Sequence, residues 1–170
     1  MSKYPPVLIV DENDEPVGAA PIEEVYQKGL RHRIARVMVE DGEGNIALQK
    51  RSSTIIGYPN CWDNSAGGHV DEGESYEQAA ERELLEEIGI KGELQVSGGF
   101  STNALRDNDR IVNRFSRVYK VTVDQNVSFV VHKKEVSEVR WFSVEEAKEL
   151  IENSPEAVTD GLVDIMKNFY

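Results

Sequence analysis

Residues 68–90 read GHVDEGESYEQAAERELLEEIGI, from Gly68 to Ile90. The middle of this stretch has the length and polarity of a helix. Ser75 is a good N-cap, and Gly89 stands where a left-handed C-terminal residue is wanted. Within it, Arg82-Glu83-Leu84-Leu85-Glu86-Glu87 concentrates acidic residues. With Glu83 at zero and about 100° per residue, Glu87 lies at roughly 40° and Glu86 at roughly −60°. Three carboxylates thus share one arc. Leu84, Leu85 and Ile88 fall nearer the opposite side, which is expected to face the core, with Glu81 as an interruption. Clustered carboxylates repel and raise one another's pKa unless a cation answers them. Arg82 can pair with Glu86 one turn on, and a hard divalent cation such as Mg²⁺ can answer the rest. The glycines ahead of the helix permit close backbone approach to such a site.

Outward from this stretch the chain mixes strands and helices without regular alternation. Residues 7–10 form an apolar run, residues 11–15 a polar turn, and residues 21–28 a short helix or turn. Two β-prone runs, 34–39 and 46–49, flank the turn chemistry of residues 41–44 and read as a hairpin. The Gly-rich residues 67–73 read as a loop. Beyond the helix, strands are expected over 94–97, 111–123 and 139–142, followed by a helix over 144–153 capped by Ser143. A last helix is expected over about 156–166, started by Pro155. The pattern predicts an α/β protein in which helices pack on a mixed sheet.

Composition narrows the function. The 170 residues carry a net charge of −12, with 39% hydrophobic and 29% charged residues. That fits one globular domain with a sizeable core. The charge argues against a duplex nucleic acid or a membrane as partner, since either needs a basic patch. A small phosphate-bearing substrate stays open, because a bound cation reverses the field of an acidic site. One cysteine, Cys61, cannot form an internal disulfide and reads as a small buried hydrophobe. The first residues lack a signal peptide's apolar run, and a cytoplasmic location is the expectation.

The spacing of the quoted stretch resembles the Nudix hydrolase signature, Gly-x5-Glu-x7-Arg-Glu-U-x-Glu-Glu-x-Gly-U, with U aliphatic. Gly68, Glu74, Arg82, Glu83, Leu84, Glu86, Glu87, Gly89 and Ile90 occupy every defined position. The resemblance implies an α/β/α sandwich and a single Nudix domain over residues 1–170, residues 1–30 being an N-terminal extension packed on it. It implies hydrolysis of a diphosphate bond, often in a nucleoside-diphosphate-linked molecule, with Mg²⁺ or Mn²⁺ as cofactor. Carried over residue by residue, Glu83, Glu86 and Glu87 are metal ligands. Arg82 orients the glutamates, the Gly68 carbonyl contributes to a metal, and Glu74 ties loop to helix. The catalytic base is a later-loop glutamate, Glu135 being preferred to Glu138 because it lies further from the Trp141 strand, or else a glutamate of the helix itself. Arg51, at the end of a strand, is a candidate to grip a substrate phosphate. Substrate choice is assigned to loops at 52–60 and 100–110. A homodimer is left open.

A second resemblance concerns residues 8–18, residues 30–33 and Trp62-Asp63-Asn64-Ser65-Ala66-Gly67-Gly68-His69, which are similar to isopentenyl-diphosphate isomerases of the same fold. Gly67 stands where those enzymes carry a catalytic Cys. Residues 111–116 lack the carboxylate pair they use on a later strand, whereas the glutamate signature is whole. Hydrolysis is therefore expected over isomerisation. A non-catalytic binding module would be expected to have lost signature glutamates, and none is lost. His32 and His69 align with metal-binding histidines of the isomerases; here they are expected to be core hydrogen-bonders or substrate contacts. Trp62 and Trp141 are expected in the core or in a pocket wall.

Overall fold

The computed structural model describes residues 4–107 and 110–170. Residues 1–3, in the expected extension, and 108–109, in the expected loop at 100–110, lie outside the described residues. The chain order is β1 (Val7–Val10), β2 (Pro16–Ala20), α1 (Ile22–Lys28), β3 (His32–Glu40), β4 (Asn45–Arg51), β5 (Trp62–Asp63), β6 (Ala66–His69), α2 (Tyr76–Ile88), β7 (Gln95–Asp107), β8 (Arg110–Thr122), β9 (Val136–Ser143), α3 (Val144–Asn153) and α4 (Asp160–Phe169). The strands join in one mixed sheet. β3 is its axis. It runs parallel to β8 from His32↔Arg114 to Glu40↔Thr122. Its other edge is shared by β1 at Ile9, β6 from His69 to Ala66, and β4 only at Ala47 and Ile46.

Alternation along the strands divides the core. Ala35, Val37, Val39, Ala47, Tyr119 and Val121 face α2, meeting Ala79, Ala80, Leu84 and Ile88. Met38, Ile46, Leu48, Trp62, Val118 and Phe142 face α3 and α4, meeting Ala147, Leu162, Ile165 and Met166. The result is an α/β/α sandwich. The first thirty residues contribute the β1–β2 hairpin and α1, with their own small core of Val7, Ala20 and Val25.

Local chemistry sets the helix ends. Ser75 and Gln78 form a reciprocal capping box, and Gly89 takes φ 73° to close α2. Ser143 and Glu146 do the same for α3. The expected hairpin of β3 and β4 forms, paired near its turn before β6 takes over the β3 edge. Three expectations need correction. The glycine segment begins as strand β6, paired with residues 34–37, and is not loop throughout. Residues 100–107 continue strand β7, so the expected loop at 100–110 is mostly a long hairpin with β8. Pro155 opens only a 3₁₀ turn, Pro155–Ala157. Val158 is then extended and bridges to Trp62, and Thr159 caps α4 by accepting from Leu162 N at 3.1 Å.

Candidate active site

β3 and β4 separate after two residue pairs, and a notch opens between β6 and β4. The Ser65 hydroxyl spans it, accepting from Val39 N at 2.7 Å and donating to the Ala47 carbonyl. Glu87 of α2 enters beside it. One carboxylate oxygen, Oε2, accepts from Gly67 N and from Gln49 Nε2, both at 2.9 Å. One turn earlier Glu83 lies against Gly68. A Cβ on Gly68 would overlap the Glu83 carboxyl group, so glycine is what admits that carboxylate to the backbone.

Arg82 gathers the surrounding loop. Its Nε and Nη2 donate to the two oxygens of Glu74 at 2.8 and 2.9 Å. Nη1 donates to Glu83 at 2.7 Å and Nη2 to the His69 carbonyl at 3.1 Å. Glu74 also accepts from Asp71 N at 3.0 Å, tying the loop to the helix. Glu86 points outward, its side chain 62% exposed and 3.7 Å from Arg82.

This differs from the expected helical arc. Glu83 and Glu87 share the inward side with Leu84 and Ile88, while Leu85 is 45% exposed. The helix lies over the glycines of β6, and that space is filled by carboxylates instead of apolar side chains.

The electrostatic consequence is large. Burial pushes the Glu83 carboxyl up to about 7, against the pull of Arg82, with Glu135 and Glu86 adding to the rise. Burial, then the Glu83 charge, hold Glu87 well above the usual carboxylate range, although the Gly67 and Gln49 bonds favour its ionised form. Glu135 acts on both. Its loop is fastened to the end of α2 by His132 N on the Glu87 carbonyl and Val130 N on the Ile88 carbonyl, each at 2.9 Å. Its own side chain lies 3.1 Å from His132 Nδ1. Glu138 is turned elsewhere, on β9 opposite Lys50 and 4.0 Å from its ammonium.

Among the described residues no three His, Cys, Asp or Glu side chains converge closely enough to enclose a metal ion. Glu83 is drawn to Arg82, Glu87 to Gly67 and Gln49, and Glu86 to the solvent side. The chemistry of the donors nevertheless suits a hard divalent cation. They are carboxylate oxygens, buried and mutually repelling, beside a backbone that glycine leaves uncovered.

Arg51 donates to the Gly57 carbonyl at 3.2 Å and to Asp63 at 3.3 Å. Trp62 is buried in the core, Trp141 packs at the edge of the α2 core, and Cys61 is buried. His32 and His69 lie on the sheet face away from α2, with ring centroids 5.3 Å apart. The Tyr26 hydroxyl is 3.0 Å from His69 Nε2. Burial holds His32 down to about 4 and His69 well below its usual range, and Arg114 deepens both shifts. A metal ion is disfavoured beside that guanidinium. Gln49 carries little signal in the sequence: it is a polar residue ending the apolar run 46–48, on the same parity as inward-facing Ala47.

A family model described as the NUDIX domain matches residues 30–161. The chain belongs to the Nudix hydrolase family. Among its Nudix relatives, isopentenyl-diphosphate Delta-isomerase 2 of Photorhabdus laumondii is 33% identical over 153 residues, covering 90% of this chain and 85% of that one. An uncharacterised Nudix hydrolase of Streptomyces coelicolor is 39% identical over 133 residues, 78% of this chain and 70% of that one. The crystal structure of DR0079 from Deinococcus radiodurans superposes with a TM-score of 0.82 at 24% identity, covering 97% of this chain and 99% of that one. That last likeness speaks for the Nudix fold alone.

Proposed function

We propose that this Nudix protein is a Mg²⁺-dependent hydrolase that cleaves a diphosphate bond in a small molecule, of which nucleoside-diphosphate derivatives are the leading class. The observation that carries the reading is the pair of buried Glu87 and half-buried Glu83 held against Gly67 and Gly68. Two repelling carboxylates in a low-dielectric notch are costly in a purely structural role. They become useful where a cation and a substrate phosphate complete the charge.

In this reading Glu83, Glu86 and Glu87 hold the metal with the Gly68 carbonyl, Mn²⁺ being an alternative ion. When bound, the ion supplies polarisation of the diphosphate and a more acidic water. Gln49 and the Gly67 amide fix the Glu87 oxygen. Arg82 keeps Glu83 and the Glu74 loop in place. Glu135, tied beside the helix end, takes the proton of the attacking water, and the leaving phosphate departs with the cleaved bond's electron pair. Arg51 offers the N–H groups that Gly57 and Asp63 do not use to a substrate oxygen. The test is a survey of diphosphate compounds with Mg²⁺, scored by phosphate-containing products. Inactivity on every class, or undiminished turnover after chelation, sinks it.

The second reading, an isopentenyl-diphosphate isomerase-like enzyme, draws on the relatedness to the Photorhabdus isomerase. Against it, Gly67 has no side chain to move a proton. β8 itself supplies no carboxylate there: it sets Arg114 and Ser116 beside His32 and Ile34, and the nearby Asp160 is paired with Arg114. Proton transfer needs acid and base groups within reach of the reacting carbons. Dimethylallyl diphosphate formed from isopentenyl diphosphate would favour this reading. A non-catalytic diphosphate-binding module is the third outcome, shown by binding without turnover.

A further inference from the structure

The sheet face away from α2 carries a polar row that the carboxylate notch does not use. His32 Nε2, Thr102 Oγ1 and Arg114 Nε are buried and make no hydrogen bond with any described residue. Arg114 is in register with His32 on β3 and with Thr102 on β7, so the three side chains emerge side by side on one face. Asn113 Oδ1 is also unpartnered, but strand alternation sends it to the other face. Buried polar atoms without partners are uncommon because each carries its full desolvation cost.

His32 and Arg114 are buried, while Tyr26, His69 and Arg110 near them are partly exposed. Arginines surround His69: Arg114, Arg36 and Arg110 all act on it, with Asp160 and Asp164 facing Arg36 and Arg114. Asp160 takes Arg114 Nη2 at 3.1 Å, and Asp63 divides itself between Arg51 at 3.3 Å and Arg36 at 4.0 Å. Donor and acceptor roles follow. His32 Nδ1 faces the Leu30 carbonyl at 3.0 Å and must donate to it, which leaves Nε2 of the neutral ring as an acceptor. Arg114 Nε–H is a charged donor, and the Thr102 hydroxyl serves either way.

A partner that completes this row accepts from Arg114 and gives one hydrogen to His32, and the arginines around it favour an anion. A carboxylate has no hydrogen to give, whereas a monoprotonated phosphate satisfies all three atoms. We infer that the His32–Arg114–Thr102 row binds a phosphoryl group, a second phosphate of the substrate remote from the diphosphate that is cleaved. Strand β6 lies between the two sites, with Gly68 against Glu83 and His69 on the opposite side. The word substrate rests on the hydrolase reading; the phosphate site does not.

The test is calorimetric titration of the intact protein with inorganic phosphate, in EDTA at constant ionic strength, with acetate as the parallel arm. Wild type is expected to bind one phosphate saturably and acetate not at all. Arg114→Lys keeps the charge but loses the Nε–H, and is expected to weaken binding about tenfold. Thr102→Val, which touches no ion pair, is expected to weaken it about threefold and serves if Arg114→Lys does not fold. The Glu83→Gln, Glu87→Gln double variant is expected to bind phosphate as wild type does, even if no diphosphate is ever found to be hydrolysed. Absence of saturable phosphate binding, equal binding of acetate, or loss in the glutamate variant with none in the row variants would overturn the inference.

Discussion

Gly67 gives its amide hydrogen to the carboxylate of Glu87 across 2.9 Å. A strand amide is thereby spent on a helix side chain, and the Gln49 amide meets the same oxygen from the other bank of the notch. The carboxylate is oriented before any ligand arrives.

Gln49→Leu removes one of these two donors with little change in volume. Turnover with saturating Mg²⁺ is expected to fall about 10–100-fold, the usual cost of losing a group that orients a metal ligand. Steady-state kinetics and circular dichroism check this. Wild-type turnover by a folded variant would show that Gln49 only fills space.

If Glu83 and Glu87 hold the metal as proposed, Glu83→Gln and Glu87→Gln are each expected to lower turnover at least about 100-fold, since losing a metal ligand removes several kcal/mol of charge stabilisation. Glu87→Gln is also expected to raise the melting temperature of metal-free protein, because it relieves repulsion within a buried pair. Thermal unfolding in EDTA reads the second effect separately from the first.

The metal-free protein is expected to lose stability as pH rises. Both glutamates are held above their ordinary 4.5, Glu83 by burial at about 7 and Glu87 by burial and the Glu83 charge well above that ordinary value. Between pH 4.5 and 7 the folded state therefore keeps protons that the unfolded chain has released, and stability falls through that window. Melting temperatures in EDTA from pH 5 to 8 should decline, and Mg²⁺ should recover most of the loss at pH 8. A profile that Glu83→Gln, Glu87→Gln leaves unchanged would remove the pair as its source.

Gly67→Cys is expected neither to confer isomerase activity nor to leave the protein intact. A Cβ at position 67 would come 2.7 Å from the Ala35 carbonyl oxygen and 3.0 Å from Asn64 Nδ2. The strand must shift, at about 1–3 kcal/mol, and the amide that holds Glu87 shifts with it. Hydrolysis should slow, and no dimethylallyl diphosphate should form from isopentenyl diphosphate. Chromatographic separation of the two diphosphates, with a denaturant titration, decides both points.

The elements that were legible in the sequence are those whose ends are set by neighbours in the chain. Ser75 with Gln78 and Gly89 fix α2, and Ser143 with Glu146 fixes α3. β6 was not legible, because Ala66-Gly67-Gly68-His69 has no strand propensity of its own. Residues 34–37, far earlier in the chain, impose its extended state. The same distance hid the direction of Glu83 and Glu87. Periodicity places Leu85 inward until the bare glycine backbone beneath the helix is known. Gln49 and the His32–Arg114–Thr102 row were hidden for the same reason: each is defined by cross-strand neighbours, and Arg114 reads in the sequence as one more surface cation.

β6 is four residues long, and its pleat assigns Gly68 to one side and His69 to the other. On the proposed reading, the carboxylates and the polar row that would hold the rest of the substrate are insulated from each other by a single thickness of backbone. Substitutions at positions 32, 102 and 114 would then alter substrate choice without touching Glu83 or Glu87, and the reaction would be inherited unchanged.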